Sequence, residues 1–363
     1  MIRVAYVINS VEGGGAAFPV PAVLGLLRDC GADIGLFALA RRNGRALPAI
    51  EAAGFRAEVR EGSLDDHLAA LRWLNGAVSH YRPTHIWTSL TRATLLGQLV
   101  GLRQHVPVVS WQHAAYLKPA NLRLLRATQR LSALWIGDSA SVTALTATRL
   151  KVPEERLAMW PLFAADPAAP RARPWSPGEA LRLGSMGRLH RVKGYDILIE
   201  ALALLAKQGF SAAVPFTVTI AGEGAEREAL AAATREAGIK SLSLPGFIEK
   251  PQEFLAGLHL YLQPSRSEGL CIAVHEAMQA GLGAIVSAVG EMPYSIEHGV
   301  SGLVVPPSDP PALAQALAWF LADPARTADA GSAARARVLD RFGRAAFRRA
   351  GEEIFSRLET MAR

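Results

Sequence analysis

Ala164 to Ala180 reads AADPAAPRARPWSPGEA, and this stretch divides the chain. Four prolines and a glycine, with Trp175 the only large apolar side chain, leave neither a regular helix nor a ladder strand there. On either side the pattern is regular. Upstream, the short β-type runs RVAYVIN, IGLFAL, RAEVR, THIWTSL, PVVSW and ALWIG alternate with longer Ala- and Leu-rich segments. Downstream the alternation restarts with LRLGSMG, FTVTIAG, SLSLPG, LHLYLQ, GAIVSA and GLVVPP. Apolar strand runs separated by helical segments predict parallel α/β sheets. The chain therefore reads as two doubly wound α/β domains in series. The first covers residues 1–165, a linker covers 166–180, the second domain covers 181–340, and an amphipathic helix of mixed charge closes the chain over 341–363.

With 363 residues, 50% of them hydrophobic and 20% charged, the chain can bury a large core. No apolar run approaches the roughly 18 residues that span a bilayer, and MIRVAYVINS begins as a strand, so a cytoplasmic protein is expected. Cys30 and Cys271 lie far apart with no ligand spacing, which predicts neither a disulfide framework nor a zinc site. The net charge of +7 sits wholly in the first half: residues 1–165 hold 18 Lys and Arg against 11 Asp and Glu, and the remainder holds 21 of each. Such a half suits a phosphorylated acceptor or an anionic membrane, or is only a solubilising surface; no nucleic-acid motif accompanies it. YLKPANLRLLRATQRLSALW places Arg123, Arg126 and Arg130 at helical spacing, as a membrane-resting or acid-binding helix would. An ordinary amphipathic helix with its arginines in water has the same pattern.

Three strand-to-helix turns carry glycine or cations where an α/β sheet opens its ligand crevice. VINSVEGGGAAF offers Gly13, Gly14 and Gly15 ahead of a helix, although arginines stand where a dinucleotide fold wants an acid, and a plain glycine turn fits too. GSMGRLHRVKGYDILIEAL sets Gly187, Arg188 and Lys193 on one loop, a forked donor and a point charge suited to diphosphate. IAGEGAEREAL supplies Gly222 and Gly224, which tight packing alone would explain.

In SRSEGLCIAVHEAMQAG, Ser265 to Gly281, Glu268 and Glu276 flank a short apolar run. If the helix starts near Cys271, its N-terminal amides lie between the two carboxylates and favour phosphate, while carboxylates accept from vicinal hydroxyls. Hydroxyls, diphosphate, hydroxyls describe a nucleotide sugar, with Glu276 on the ribose and Glu268 on the transferred sugar. The same residues also spell a capping box, with Ser265 as N-cap and Glu268 three residues on.

GRLHRVKG, AGEG, PSRSEGLCIAVHEAMQAG and EHGVSGLVVPPSDPPALAQAL, in that order, resemble the C-terminal half of the retaining glycosyltransferases of family 4, over about Leu181 to Asp323. The resemblance implies a GT-B fold, two Rossmann-like domains facing across a cleft, with the last helix crossing back to the first domain. It implies a retaining, metal-independent hexosyltransferase of cell-surface polysaccharide, lipopolysaccharide or glycolipid synthesis, taking a nucleotide sugar and a saccharide or lipid-linked acceptor and needing no cofactor. No Asp-x-Asp occurs in the chain, in keeping with that. By the same resemblance Arg188 and Lys193 bind the donor diphosphate, Glu268 and Glu276 form the paired-glutamate motif, and the amides of Gly269, Leu270, Cys271 and Ile272 contact sugar and phosphate. Phe247 and Ile248 seat the nucleobase, Gly14 and Gly15 meet phosphate, Gly187 lies in the diphosphate loop, and His113 approaches the donor sugar. The chain departs from the pattern at Leu270-Cys271, usually phenylalanine-glycine, and at Tyr294, often glutamate; Pro19 and Pro21 delay the first helix. A nucleotide-sugar epimerase and a non-catalytic nucleotide-sugar-binding protein are the alternatives on the same frame.

Overall fold

A computed structural model describes residues 1–15, 17–113 and 117–361. Ala16 of the glycine turn, Tyr116 at the head of the basic segment and the last two residues of the chain lie outside the described residues. The chain divides into two units, Met1–Phe163 with Ala345–Arg363, and Ala164–Arg344.

The first unit holds a seven-stranded sheet with strand order β3-β2-β1-β4-β5-β6-β7, every pairing parallel. Its strands are β1 (Arg3–Ile8), β2 (Asp33–Ala38), β3 (Ala57–Val59), β4 (His85–Ser89), β5 (Val108–Gln112), β6 (Leu134–Gly137) and β7 (Leu157–Met159). The central strands read as apolar runs because they are buried on both faces, as parallel strands under helices must be. The helices are α1 (Val20–Asp29), α2 (Leu47–Ala52), α3 (His67–Tyr81), α4 (Thr91–Gln104), α5 (Pro119–Thr128) and α6 (Ala140–Leu150). Proline opens α1, α2 and α5, where a missing N–H costs nothing. Ser139 caps α6 by accepting from the Val142 amide at 3.2 Å. Trp87, Trp111 and Trp160 are fully buried, with Trp111 and Trp160 stacked at 5.1 Å.

The second unit holds a six-stranded parallel sheet, order β10-β9-β8-β11-β12-β13. Its strands are β8 (Leu181–Met186), β9 (Phe216–Ala221), β10 (Leu242–Gly246), β11 (Leu260–Gln263), β12 (Gly283–Ser287) and β13 (Gly302–Val305). Its helices are α7 (Tyr195–Lys207), α8 (Arg227–Glu236), α9 (Pro251–Ala256), α10 (Ile272–Gln279), α11 (Met292–Ser295), α12 (Pro310–Leu321) and α13 (Arg326–Phe342). The last helix, α14 (Arg344–Met361), belongs to the first unit from Ala345 onward. There Phe347 lies 5.1 Å from the Trp160 ring, and glycine at 351 leaves room for Leu26 and Trp160. The proline-rich stretch is not a free tether. Ala165 bridges Gly343, and the buried Arg335 guanidinium donates to the Pro167 carbonyl at 2.6 Å.

Candidate active site

The strand order of the second sheet reverses between β8 and β11, so the loops leaving those two strands diverge and open a crevice. Arg188 and Lys193 lie on the first loop, Glu268 on the second. The loops are stitched together. Arg266 donates its amide to the Val192 carbonyl at 2.8 Å, and its guanidinium grips Asp196 through two bonds of 2.7 and 2.6 Å. Gly194 takes φ +67° with the Pro264 carbonyl where a Cβ would sit, so only glycine fits. Behind them the β9 loop packs backbone to backbone: Gly187 donates to Ala221 O at 2.9 Å and Leu189 to Glu223 O at 2.8 Å. Gly222 and Gly224 permit that approach, which is the packing role their spacing allowed.

Lys193 Nζ donates to Glu268 Oε1 at 2.7 Å. Ser265 Oγ donates to the same oxygen at 2.6 Å and Gln263 Nε2 at 3.3 Å. Burial opposes the Lys193 charge, but the adjacent carboxylate outweighs it and holds the ammonium above its ordinary range. Three donors on one oxygen hold Glu268 in place and drain its nucleophilicity. Arg188, by contrast, is exposed and makes no side-chain hydrogen bond or ion pair among the described residues.

The capping-box alternative is excluded, because α10 begins at Ile272 with Cys271 as its N-cap. Ser265 spends its hydroxyl on Glu268 instead. Cys271 sits at φ +60°, a left-handed conformation that costs a side-chain-bearing residue about 1 kcal/mol and glycine nothing, which gives the usual glycine there a physical reason. Burial pushes its thiol well above the usual range. The amides of Gly269, Leu270, Cys271 and Ile272 donate to no carbonyl outside the helix among the described residues. One turn inside α10, Glu276 has no hydrogen-bond or ion-pair partner among the described residues, and burial pushes its carboxyl up to about 7. His275, held near 4 by burial, is neutral; it bonds the Cys271 carbonyl at 3.0 Å and Ser295 Oγ at 2.9 Å, tying the start of α10 to α11. Gly290 fits only as glycine against the Glu268 and Gly269 carbonyls, and the Glu291 amide bonds Gly269 O at 2.9 Å. Phe247, 42% exposed, and Ile248 follow β10, at the same end of the sheet as the other loops.

In the first unit the glycine turn leaves β1, and α1 begins only at Val20 with proline in its first turn, as Pro19 and Pro21 suggest. Gly13 is hemmed in by Arg45 and Phe18, whereas nothing lies within 4 Å of a Cβ placed at Gly14; Gly15 is exposed. His113 follows β5. Its Nε2 lies 2.8 Å from Ser89 Oγ at the end of β4, and its Nδ1 3.6 Å from Asp138 Oδ2 just past β6. All three side chains are buried, and Asp138 Oδ1 has no partner among the described residues. Sequence reasoning missed Ser89 and Asp138, although both stand directly at strand ends, the position that singled out His113. Gln263 and His275 were missed as well, being partners of the site rather than its face, and Ser265 was weighed only as a helix cap.

Residues 171–337 match the glycosyl transferases group 1 family. That segment is a glycosyl transferases group 1 domain. The group 1 domain covers the loops after β8 and β11, with Arg188, Lys193 and Glu268, and Glu276 on α10. Among relatives, the amylovoran biosynthesis glycosyltransferase AmsK of Erwinia amylovora is 34% identical over 50% of this chain and 46% of its own length. A D-inositol 3-phosphate glycosyltransferase of Thermobispora bispora is 26% identical over 92% of this chain and 87% of its own. The chain spans about half the length, or less, of the curated relatives it matches at 30% identity or more. Among solved structures, Anabaena Alr3699/HepE in complex with UDP-glucose has a TM-score of 0.82 at 20% identity, covering 98% of this chain and 100% of that one. The two all-parallel α/β units match the GT-B glycosyltransferase structures, which establishes the fold around the group 1 domain.

Proposed function

We propose that the chain is a retaining glycosyltransferase of family 4, moving a sugar from a nucleoside diphosphate to an acceptor hydroxyl in polysaccharide or glycolipid synthesis, without a metal. The observation that carries the proposal is Glu276, a half-buried carboxyl with no partner among the described residues, one turn behind a row of amides that bond no other carbonyl among them. Amides at a helix start suit a diphosphate, and an unpartnered carboxylate behind them suits the ribose hydroxyls. Glu268, across the amides, takes hydroxyls of the transferred sugar. The relatives named for amylovoran and colanic acid biosynthesis support a saccharide acceptor, and the neighbours solved with UDP and UDP-glucose support a uridine donor.

As the anomeric bond breaks, negative charge grows on the β-phosphate, where the amides, Lys193 and Arg188 meet it without reorganising. The departing phosphate oxygen takes the proton of the acceptor hydroxyl on the same face, which gives retention. Glu268, saturated by three donors, orients the sugar and does not attack it.

A thermal-shift series with UDP, GDP and ADP tests the binding step, with one nucleoside diphosphate raising the melting temperature. Labelled sugar from the matching donor is then expected in an acceptor-linked α-product. Release of free epimer in the absence of acceptor makes the protein an epimerase, and tight binding without turnover makes it a binding protein.

His113 belongs to the same proposal, with Asp138 as its positioning residue. Asp138→Asn is expected to slow transfer about tenfold with nucleotide Kd unchanged, and Asp138→Glu to restore most of it. The ¹⁵N shifts of the His113 ring report the tautomer directly; identical shifts in wild type and Asp138→Asn remove Asp138 from the mechanism.

A further inference from the structure

Residues 67–153 contain ten lysines and arginines and a single carboxylate, Asp138, which is buried. This span supplies α3, α4, α5 and α6, which pack side by side in that order, and none of the four carries an Asp or Glu. The other helices of the unit are mixed: α1 and α2 carry Asp29 and Glu51, and α14 carries Glu352, Glu353 and Glu359. So the basic excess of the first half is a one-sided property of a helix layer.

On that layer Arg103, Arg123, Arg126 and Arg130 are exposed and make no ion pair or side-chain hydrogen bond among the described residues. Between them stand leucines. Leu99 and Leu102 on α4 are 46% and 60% exposed, and Leu124 on α5 is 51% exposed. Leu99, Leu102 and Arg103 share one helix face by their three- and four-residue spacing, Arg123 and Arg126 share a face of α5 by theirs, and Leu124 is exposed on the same helix. Cations interleaved with water-facing aliphatic side chains fit a surface that is anionic at the headgroups and apolar just below them. A nucleic acid would call for aromatic stacking platforms, and no exposed Phe, Tyr or Trp lies on these four helices.

We infer that the outer face of α3–α6 docks the first unit on an anionic lipid bilayer, arginines on the headgroups and the three leucines in the interface. The inference stands apart from the donor-site proposal, because vesicle binding is measured without turnover. No described helix is long and apolar enough to cross a membrane, so the attachment is one of surface contact.

The test is co-sedimentation of the full chain with vesicles of phosphatidylglycerol and phosphatidylcholine, against phosphatidylcholine alone. Binding is expected only to the anionic vesicles and falls as salt rises. Each cation near such a surface contributes about fivefold, so Arg123→Gln/Arg126→Gln/Arg130→Gln loses about a hundredfold. Leu99→Ser/Leu102→Ser/Leu124→Ser weakens binding with the salt dependence retained. A control on the opposite layer, Arg348→Gln/Arg349→Gln, binds as wild type. Equal binding to neutral vesicles, no binding to anionic ones, or an arginine variant that binds undiminished overturns the inference. A single-stranded RNA that displaces the vesicles, and whose own binding depends on the arginines but not the leucines, assigns the face to nucleic acid and overturns it too.

Discussion

Glu268→Gln is expected to slow sugar transfer by about a thousandfold while the Kd for the nucleoside diphosphate changes less than about threefold. The amide replaces an oxygen that three donors converge on with a group that carries no charge, so Lys193 loses its counter-ion and the hydroxyls of the donor sugar lose their acceptor. In the proposed donor mode the nucleotide contacts run through the amides and Glu276, so the substitution leaves them intact. Removing one partner of a buried ion pair also destabilises, by about 3 to 5 kcal/mol, which would confound an activity assay. Lys193→Met/Glu268→Gln separates the two effects. With both charges gone the desolvation cost goes with them, so the double variant melts close to wild type, binds nucleotide and still does not transfer. A single Glu268→Gln variant within tenfold of the wild-type kcat refutes the role given to this carboxylate; loss of nucleotide binding in step with transfer would move Glu268 to the diphosphate subsite.

The fold was legible where burial is two-sided. VAYVI, HIWTS, VVSWQ and LYLQ read as strands because a parallel strand under helices on both faces keeps apolar side chains on each. The strand that escaped was β7. Leu157–Met159 is three residues long, partly exposed and at the sheet edge, so neither run length nor alternation announces it. The proline-rich stretch showed where the pattern breaks but not what the break does. Its anchoring by Arg335 and Gly343 joins residues more than 160 apart, and no local pattern carries such pairing.

The candidate site divides along the same line. Glu268, Glu276 and the loop cations are marked by punctuation: Gly187 and Gly194 bracket one loop, and Gly269 followed by an apolar run marks the start of α10. Whether Ser265 capped a helix or held a carboxylate depended on a helix start seven residues away, which sequence patterns fix only loosely. The supporting partners were out of reach. Lys193 meets Glu268 across 75 positions, His275 meets Ser295 across 20 and His113 meets Asp138 across two strands, all through the order in which parallel strands assemble.

Glu276→Gln is expected to weaken nucleotide binding by about a hundredfold or more above neutral pH, since two charge-assisted hydrogen bonds to ribose hydroxyls contribute about 1.5 to 3 kcal/mol each. The pH dependence carries the sign. In the free protein burial alone raises this carboxyl to about 7, and hydroxyl donors favour its ionised form, so ligand binding lowers that value and expels the proton. Wild-type affinity therefore rises with pH through 7 and is about tenfold weaker at pH 6 than on the alkaline plateau, a step absent from Glu276→Gln measured by calorimetry in two buffers of different ionisation heat. Stability runs the other way. A carboxyl raised on folding stabilises relative to its ionised form at low pH, and that contribution is lost as pH climbs from the ordinary carboxylate range to about 7. Ligand-free Glu276→Gln should then match wild type near pH 5 and melt higher above pH 8, because it no longer holds a partly desolvated charge without a partner among the described residues. A stability gain joined to a binding loss at one position is the signature of a group kept unpaired for its ligand. If the glutamine variant binds as tightly as wild type, or melts lower at pH 8, Glu276 is a structural residue and the donor must be held elsewhere.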